Sequence, residues 1–234
     1  MKTILRFHYR ANLKEDFDGK LLEKALEECK RKVSIEVSNG KILTCAIFHY
    51  RNMVFLYIEF VTEKGVSEDA DNNDIYHRIT ENIFAPLETF LKVWPGIDYN
   101  RIWVPMFHIY CFAYPESLEE WRRAVPPHER CGRIAILYPD KLYSYIYHHY
   151  AIVKEGCFKG DKYQSIAIHE NIAFQYFETP RDRYITSVKG NSSQESIELK
   201  KWTNVDPESH FIHLPGSNGQ NFLEIPCYFS ISDS

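Results

Sequence analysis

One eight-residue pattern occurs twice in this 234-residue chain. Asn52-Met-Val-Phe55-Leu-Tyr57-Ile-Glu59 and Asn171-Ile-Ala-Phe174-Gln-Tyr176-Phe-Glu178 both read N-x-x-F-x-Y-x-E, 119 positions apart. Near the same offset, Ile102-Trp-Val-Pro105-Met-Phe107 parallels Leu223-Glu-Ile-Pro226-Cys-Tyr228. Chance accounts for one such match more easily than for two in step, so the chain reads as one unit duplicated. Its length agrees: it is too long for a single small helix-on-sheet domain and suits two of about 100 residues each.

Hydrophobic periodicity orders the elements within each copy. The first copy opens with an alternating strand, Ile4 to Tyr9. A helix follows from Asp18 to Lys32, where Leu21, Leu22, Ala25, Leu26 and Cys29 recur at helical spacing. A hairpin fits Ser34 to Val61, with turns at Ser38-Asn39-Gly40 and Tyr50-Arg51-Asn52. Past an acidic loop (Glu68 to Asp74), Ile75 to Val93 reads as a helix bent at Pro86, and Ile102 to Ala113 as a closing strand. The second copy repeats the order: strand Arg133 to Tyr138, helix Asp140 to Glu155 stopped by Gly156, hairpin Tyr163 to Glu178, helix Gln194 to Trp202, strand Phe222 to Ile231. The expected class is therefore α+β, two tandem ferredoxin-like βαββαβ units at 1–114 and 133–234. The linker at 115–132 carries a capping-box helix start, Ser117-Leu-Glu-Glu120. Pairing the open sheet faces of two such units within one chain would make an intrachain dimeric α/β-barrel arrangement.

Charge and composition narrow the partners. A net charge of −4, with no basic arm or Lys-rich helix, argues against nucleic acid. No apolar run approaches the roughly 20 residues of a membrane-spanning helix, and the start Met1-Lys2-Thr3-Ile4-Leu5-Arg6 resembles no secretory leader. A cytoplasmic protein without membrane association is expected, monomeric as a pseudo-dimer or homodimeric. The six cysteines lack metal-ligand spacing and read as reduced thiols, with no metal or cofactor implied. Sixteen Tyr, 15 Phe and four Trp suit a wet cavity lined by rings whose polar tips need partners.

The helix from Asp140 to Glu155 carries the chemistry. Its core-facing stripe runs Leu142, Tyr145, Ile146, His149, Ile152 and Val153, placing a phenol and an imidazole where packing alone would select Leu or Phe. Tyr145 and His149, at i and i+4, project together over the sheet, whereas His148 should turn toward solvent. The run Arg133-Ile-Ala-Ile-Leu-Tyr-Pro139-Asp140-Lys-Leu-Tyr-Ser-Tyr145-Ile-Tyr-His-His149-Tyr-Ala-Ile152-Val-Lys-Glu155 resembles, without a gap, the opening of the L-rhamnose mutarotase family, with its Y-x-x-x-H-x-x-I-x-x-E on the first helix. The similarity continues through Gln164-Ser165-Ile166, Phe174-Gln-Tyr176-Phe-Glu178 and Phe222-Leu-Glu224-Ile225, and so covers most of residues 133 to 229.

That resemblance implies a ferredoxin-like unit that pairs into a dimeric α/β barrel. It implies interconversion of the α and β anomers of a deoxyhexopyranose without metal or cofactor, with His149 and Tyr145 as acid–base groups. Opening a cyclic hemiacetal needs one proton delivered and one removed, which a histidine can manage near neutral pH. Trp202 is the expected stacking ring, standing alone where the family carries a Trp pair. Gln164, Tyr176, Glu178 and His169 are the further substrate-binding candidates, although the recurrence of Tyr57 and Glu59 in the first copy favours a structural role for Tyr176 and Glu178. Asp140 reads as a helix N-terminal residue. The first copy lacks a Tyr-x-x-x-His on the matching helix, where Leu21, Leu22, Ala25 and Leu26 are apolar, and reads as structural, with His8, His49 and His108 able to line a second pocket. Two other functions compete: a non-catalytic sugar or metabolite-binding module, and a monooxygenase-like or haem-degrading enzyme on a similar architecture.

Overall fold

A computed structural model describes residues 2–63, 77–95, 101–157, 160–181, 183–184 and 196–233. The acidic loop and the start of the helix expected at Ile75 fall outside these residues, as does the expected helix start at Gln194. The structure is α+β with antiparallel sheets, and the chain divides into two compact units.

Unit 1 comprises Met1–Met106, Pro115–Pro126 and Pro226–Ser234. Its elements are β1 (Lys2–Asn12), α1 (Gly19–Ser38), β2 (Ile42–Tyr50), β3 (Met53–Glu63), a π-helical turn α2 (Arg78–Ile83), the short α3 (Ala85–Glu88) and β4 (Val104–Pro105). Helix α1 begins where Asp18 accepts the backbone N–H of Lys20 and Leu21. It runs past the expected end at Lys32, because Val33 and Val37 continue the buried stripe of Leu22, Leu26 and Cys29. The supposed turn at Ser38-Asn39-Gly40 is thus the helix end, with Gly40 at φ +68°. The long helix expected up to Val93 is instead two short pieces, and Pro86 sits in the first turn of α3, where its missing N–H costs nothing.

Unit 2 comprises Phe107–Tyr114 and Pro127–Ile225. It contains β5 (Phe107–Cys111), β6 (Glu129–Leu137), α5 (Leu142–Glu155), β7 (Gly160–Asp161), β8 (Ser165–His169), β9 (Ile172–Thr179), β10 (Arg183–Tyr184), α6 (Ile197–Asn204), β11 (Phe211–Ile212) and β12 (Leu223–Ile225). The intervening α4 (Leu118–Trp121) belongs to unit 1, capped as expected by Ser117, whose hydroxyl accepts the Glu120 N–H. The last strand, β13 (Cys227–Ser232), also belongs to unit 1.

Besides the two-stranded β7–β10 ladder there are two large sheets, and they keep one strand order. In unit 1 it is β4-β1-β3-β2-β13, and in unit 2 β12 and β11 pair in succession along one edge of β6, whose other edge is followed by β9, β8 and β5. Fourth, first, third, second is the ferredoxin-like arrangement, and each sheet then gains a fifth strand from the other end of the chain. The strands expected at Ile102–Ala113 and Phe222–Ile231 are therefore each split, after Pro105 and before Cys227, with one half in each unit. Proline has no N–H to continue a ladder, so the repeated Pro105 and Pro226 mark where the chain leaves one sheet for the other. The added strands cover β2 and β8, which would otherwise be open edges. This exchange is why the unit boundaries differ from those expected at 114 and 133.

The Phe, Tyr and Glu of the repeated octet lie on the sheet face away from α1 in one unit and away from α5 in the other, since Val54, Leu56, Ile58 and Ala173 take the helix side. Tyr57 donates to Glu59 Oε1 at 2.5 Å, and Tyr176 to Glu178 Oε1 at 2.7 Å. Arg6 and Arg130 stand across from the two glutamates in register. Burying a tyrosine and a glutamate requires that each satisfy the other, which explains why the pair recurs as a pair.

Among the described residues no helix is long and apolar enough to cross a membrane. All six cysteines are free, four of them buried, and burial pushes the Cys29 thiol up to about 12. Gly160 admits no side chain: a Cβ there would collide with the Phe112 ring and lie 2.8 Å from Tyr110 Oη. Gly160→Ala is expected to destabilise unit 2 by about 1–3 kcal/mol in urea unfolding, the range for forcing bulk into a packed site.

Candidate active site on the helix face of unit 2

Helix α5 follows a 3-10 turn at Pro139–Lys141 and ends at Gly156, which takes the left-handed conformation at φ +71°. Glu155 also anchors the neighbouring helix: its carboxylate accepts the Ser196 hydroxyl and the N–H groups of Ile197, at 2.9 Å, and Glu198, at 3.3 Å. This carboxylate at the start of α6 holds Trp202 beside α5, since it satisfies donors that α6 cannot satisfy itself.

The structure brings Tyr145, His149 and Trp202 together. The Tyr145 and His149 rings lie 4.0 Å apart, and Trp202 meets them edge-on at 5.7 and 5.2 Å. Phe211 lies 5.5 Å from Tyr145, and Tyr110 lies 6.3 Å from His149. The His149 imidazole is half-buried beside these rings.

Two details give this cluster chemical capacity. His149 Nδ1 lies 2.9 Å from the Tyr145 carbonyl. A carbonyl only accepts, so Nδ1 carries the proton and Nε2 keeps its lone pair. Burial lowers the His149 pKa to about 4, a fall that the carbonyl bond only partly opposes, and the ring is a neutral base at physiological pH. Tyr145 is 1% exposed, yet its hydroxyl has no hydrogen-bond partner among the described residues. Burial raises its pKa, so the phenol keeps its proton.

The other candidates lie elsewhere. Tyr176 and Glu178, together with His169, alternate onto the sheet face away from α5, because strand residues of one parity share a face and Ile166, Ile168 and Ala173 hold the helix side. Gln164 precedes β8, where its carbonyl accepts the Phe112 N–H. None of these four joins the Tyr145–His149 pair. His148, expected to face solvent, is 7% exposed, its ring 5.5 Å from Trp202, because α6 covers that side of α5. Of the first copy's histidines, His8 packs on Tyr57 and His49 stacks on Tyr228 at 4.0 Å, while His108 belongs to unit 2. No cluster of three or more His, Cys, Asp or Glu placed to hold a metal occurs among the described residues.

Sequence reasoning missed three polar neighbours. His210 is buried, with Nε2 2.9 Å from Ser144 Oγ and Nδ1 3.2 Å from the Asp206 carbonyl, and its ring lies 4.8 Å from Trp202. Arg133 and Gln175 are paired on β6 and β9, on the face that α5 covers. The signal for Arg133 was present: it shares strand parity with Ala135 and Leu137, so an arginine occupies a core-facing position.

No family model matches the chain, and no curated protein does. Among solved structures, the chain is similar to a provisionally named monooxygenase from Lactobacillus acidophilus NCFM, at 6% identity and a TM-score of 0.45, covering 98% of this chain and 96% of that one. A second provisionally named monooxygenase, from Fusobacterium nucleatum, is 10% identical with a TM-score of 0.42, over 98% and 94% of the two chains. An anthrone oxidase-like protein is 7% identical with a TM-score of 0.38, over 98% and 96%. Likenesses this distant say nothing of activity.

Proposed function

We propose that unit 2 is an acid–base enzyme acting on a small cyclic substrate, and that its reaction is the exchange of sugar anomers. The observation carrying this reading is the pairing of a buried, unpartnered phenol O–H with a neutral imidazole whose Nε2 is left open. Leaving such a hydroxyl unsatisfied costs about 1–3 kcal/mol, which a purely structural tyrosine would avoid. In the reaction His149 Nε2 removes the proton of the anomeric hydroxyl. The ring C–O bond breaks, its electron pair stays on the ring oxygen, and that oxygen takes the Tyr145 proton. Rotation of the free aldehyde and reversal of both transfers close the ring on the other face, with no net change in protons. Trp202, half-buried beside both groups, offers the apolar face on which a pyranose packs. The split fourth strands support treating the chain as a fused pair of ferredoxin-like units, of which only the second has polar groups at this helix position.

The density of rings around His149 favours a second reading, in which a flat phenolic substrate is deprotonated and then reacts with O2, turning a CH2 into a carbonyl with release of water. Saturation-transfer NMR on a panel of aldohexoses, 6-deoxyhexoses and sugar acids, run beside oxygen uptake with a tricyclic phenol, separates the two. Faster anomer exchange supports the first; oxygen consumption without it replaces the first by the second.

A further inference from the structure

Arg133 occupies an unusual place for an arginine. It projects from β6 under α5, in line with the fully buried Ala135 and Leu137. Its Nε donates to Gln175 Oε1, and its guanidinium lies 5.2 Å from the Phe177 ring and 5.0 Å from Phe222. Among the described residues it forms no ion pair, and its two terminal nitrogens donate to nothing. Glu224 stands opposite in register but is exposed and makes no bridge to it. Arg181, on the same Phe177 ring at 4.8 Å, is already held by Asp161 at 3.2 Å.

A guanidinium that is only half-buried, bonded through Nε alone and paired with no carboxylate among the described residues, has its two terminal nitrogens available to an anion that enters the site. A run of rings connects the arginine to the acid–base pair: Arg133 lies on Phe222, the Phe222 ring is 6.0 Å from Phe211, and Phe211 is 5.5 Å from Tyr145. Two polar groups with unmet hydrogen-bonding capacity, the Arg133 fork and the Tyr145 hydroxyl, are therefore found together. A neutral deoxyhexose would answer only the second.

We infer that this site takes an anionic sugar, a hexuronate or comparable sugar acid, whose carboxylate is bound by Arg133 while its ring lies at Tyr145, His149 and Trp202. The inference rests on the acid–base reading above and names its substrate class. A carboxylate fits better than a phosphate: the planar fork accepts a carboxylate in two parallel hydrogen bonds, and one uncommitted guanidinium balances one negative charge. A phosphate dianion would need a second free cation, which Arg181 with Asp161 does not provide.

Titration calorimetry with D-glucuronate, D-glucose and D-glucose 6-phosphate tests this on the full chain. Glucuronate is expected to bind at least roughly tenfold more tightly than glucose, with the preference weakening at high salt. Arg133→Gln should abolish the preference, and Arg133→Lys should retain part of it. Equal affinity for glucose and glucuronate in the unaltered protein, tighter binding of the phosphate, or no binding of any of the three overturns the inference, and none of these outcomes depends on how a variant folds. Exchange of neutral anomers without preference for the acid would sink the anionic substrate and leave the acid–base reading standing. Arg133-dependent glucuronate binding without faster anomer exchange would do the reverse.

Discussion

His149→Ala is expected to slow anomer exchange by about 10²- to 10⁴-fold, the usual contribution of one positioned general base. Tyr145→Phe should lower the rate as well, and it carries a second signature. Removing a buried hydroxyl that has no partner, while keeping the ring against Trp202 and Phe211, should raise stability by about 1 kcal/mol. A slower enzyme that is also more stable marks a group retained for chemistry; a tyrosine that merely packs would change neither rate nor pH profile. The pH profile follows from the lowered His149 pKa. The base is neutral above about 4, so the rate should rise through that value and then stay level toward neutrality. Stability follows the same group. Its folded value lies below the ordinary 6.5, so the unfolded chain takes up the proton first. The associated stability is complete above pH 6.5 and is lost as pH falls to about 4, on the order of 3 kcal/mol. Denaturant midpoints of His149→Asn should be flatter than those of the unaltered protein across that window.

The largest effect on stability should come from Glu59→Ala in unit 1. Glu59 is fully buried and receives Arg123 through both terminal nitrogens, at 2.7 and 3.1 Å, the Trp121 indole N–H at 2.9 Å and the Tyr57 hydroxyl. Arg6 donates to Tyr57 Oη at 3.1 Å and lies 4.9 Å from the Trp121 ring. Truncating the carboxylate leaves Arg123, itself almost wholly buried, without this counter-ion, a loss of about 3–5 kcal/mol. Glu59→Gln should cost less, because an amide oxygen still accepts. Burial alone would raise this carboxyl's pKa, but Arg123 and the other donors overcome burial and hold it at about 2. Its stabilisation is therefore present above pH 4.5 and lost toward pH 2, on the order of 3 kcal/mol. The two acid-sensitive windows overlap only between about pH 4 and 4.5, so chemical denaturation across pH assigns each to its own residue. Loss of both windows in one variant would contradict the separation.

The sequence was most legible where a period carried the signal. The helical spacing of Leu22, Leu26 and Cys29 located α1, and the spacing of Tyr145 and His149 put both rings on one side of α5, because residues four apart on a helix share a face in any context. Strand alternation likewise allowed Tyr176 and Glu178 to be placed on a common face, though not on which one. That choice depends on where a helix packs, and α5 packs on the other. His148 is buried for a similar reason: its side of α5 is solvent until Trp202 arrives from α6. Arg133 was readable as a strand residue, while its lack of a carboxylate partner depends on the positions of Glu224, Asp161 and Arg181, which are distant in sequence.

By itself the amino-acid order determined that one βαββαβ pattern is written twice and that only the second copy places a phenol and an imidazole on its first helix. It also set prolines at matching points of the two fourth strands. Tertiary structure alone decided that each of those strands divides between the two sheets, and that the repeated Tyr–Glu pairs lie on the face away from the helices. Propensity and periodicity are local, whereas strand partnership and burial are settled by groups a hundred residues apart competing for the same edge and the same dry surface.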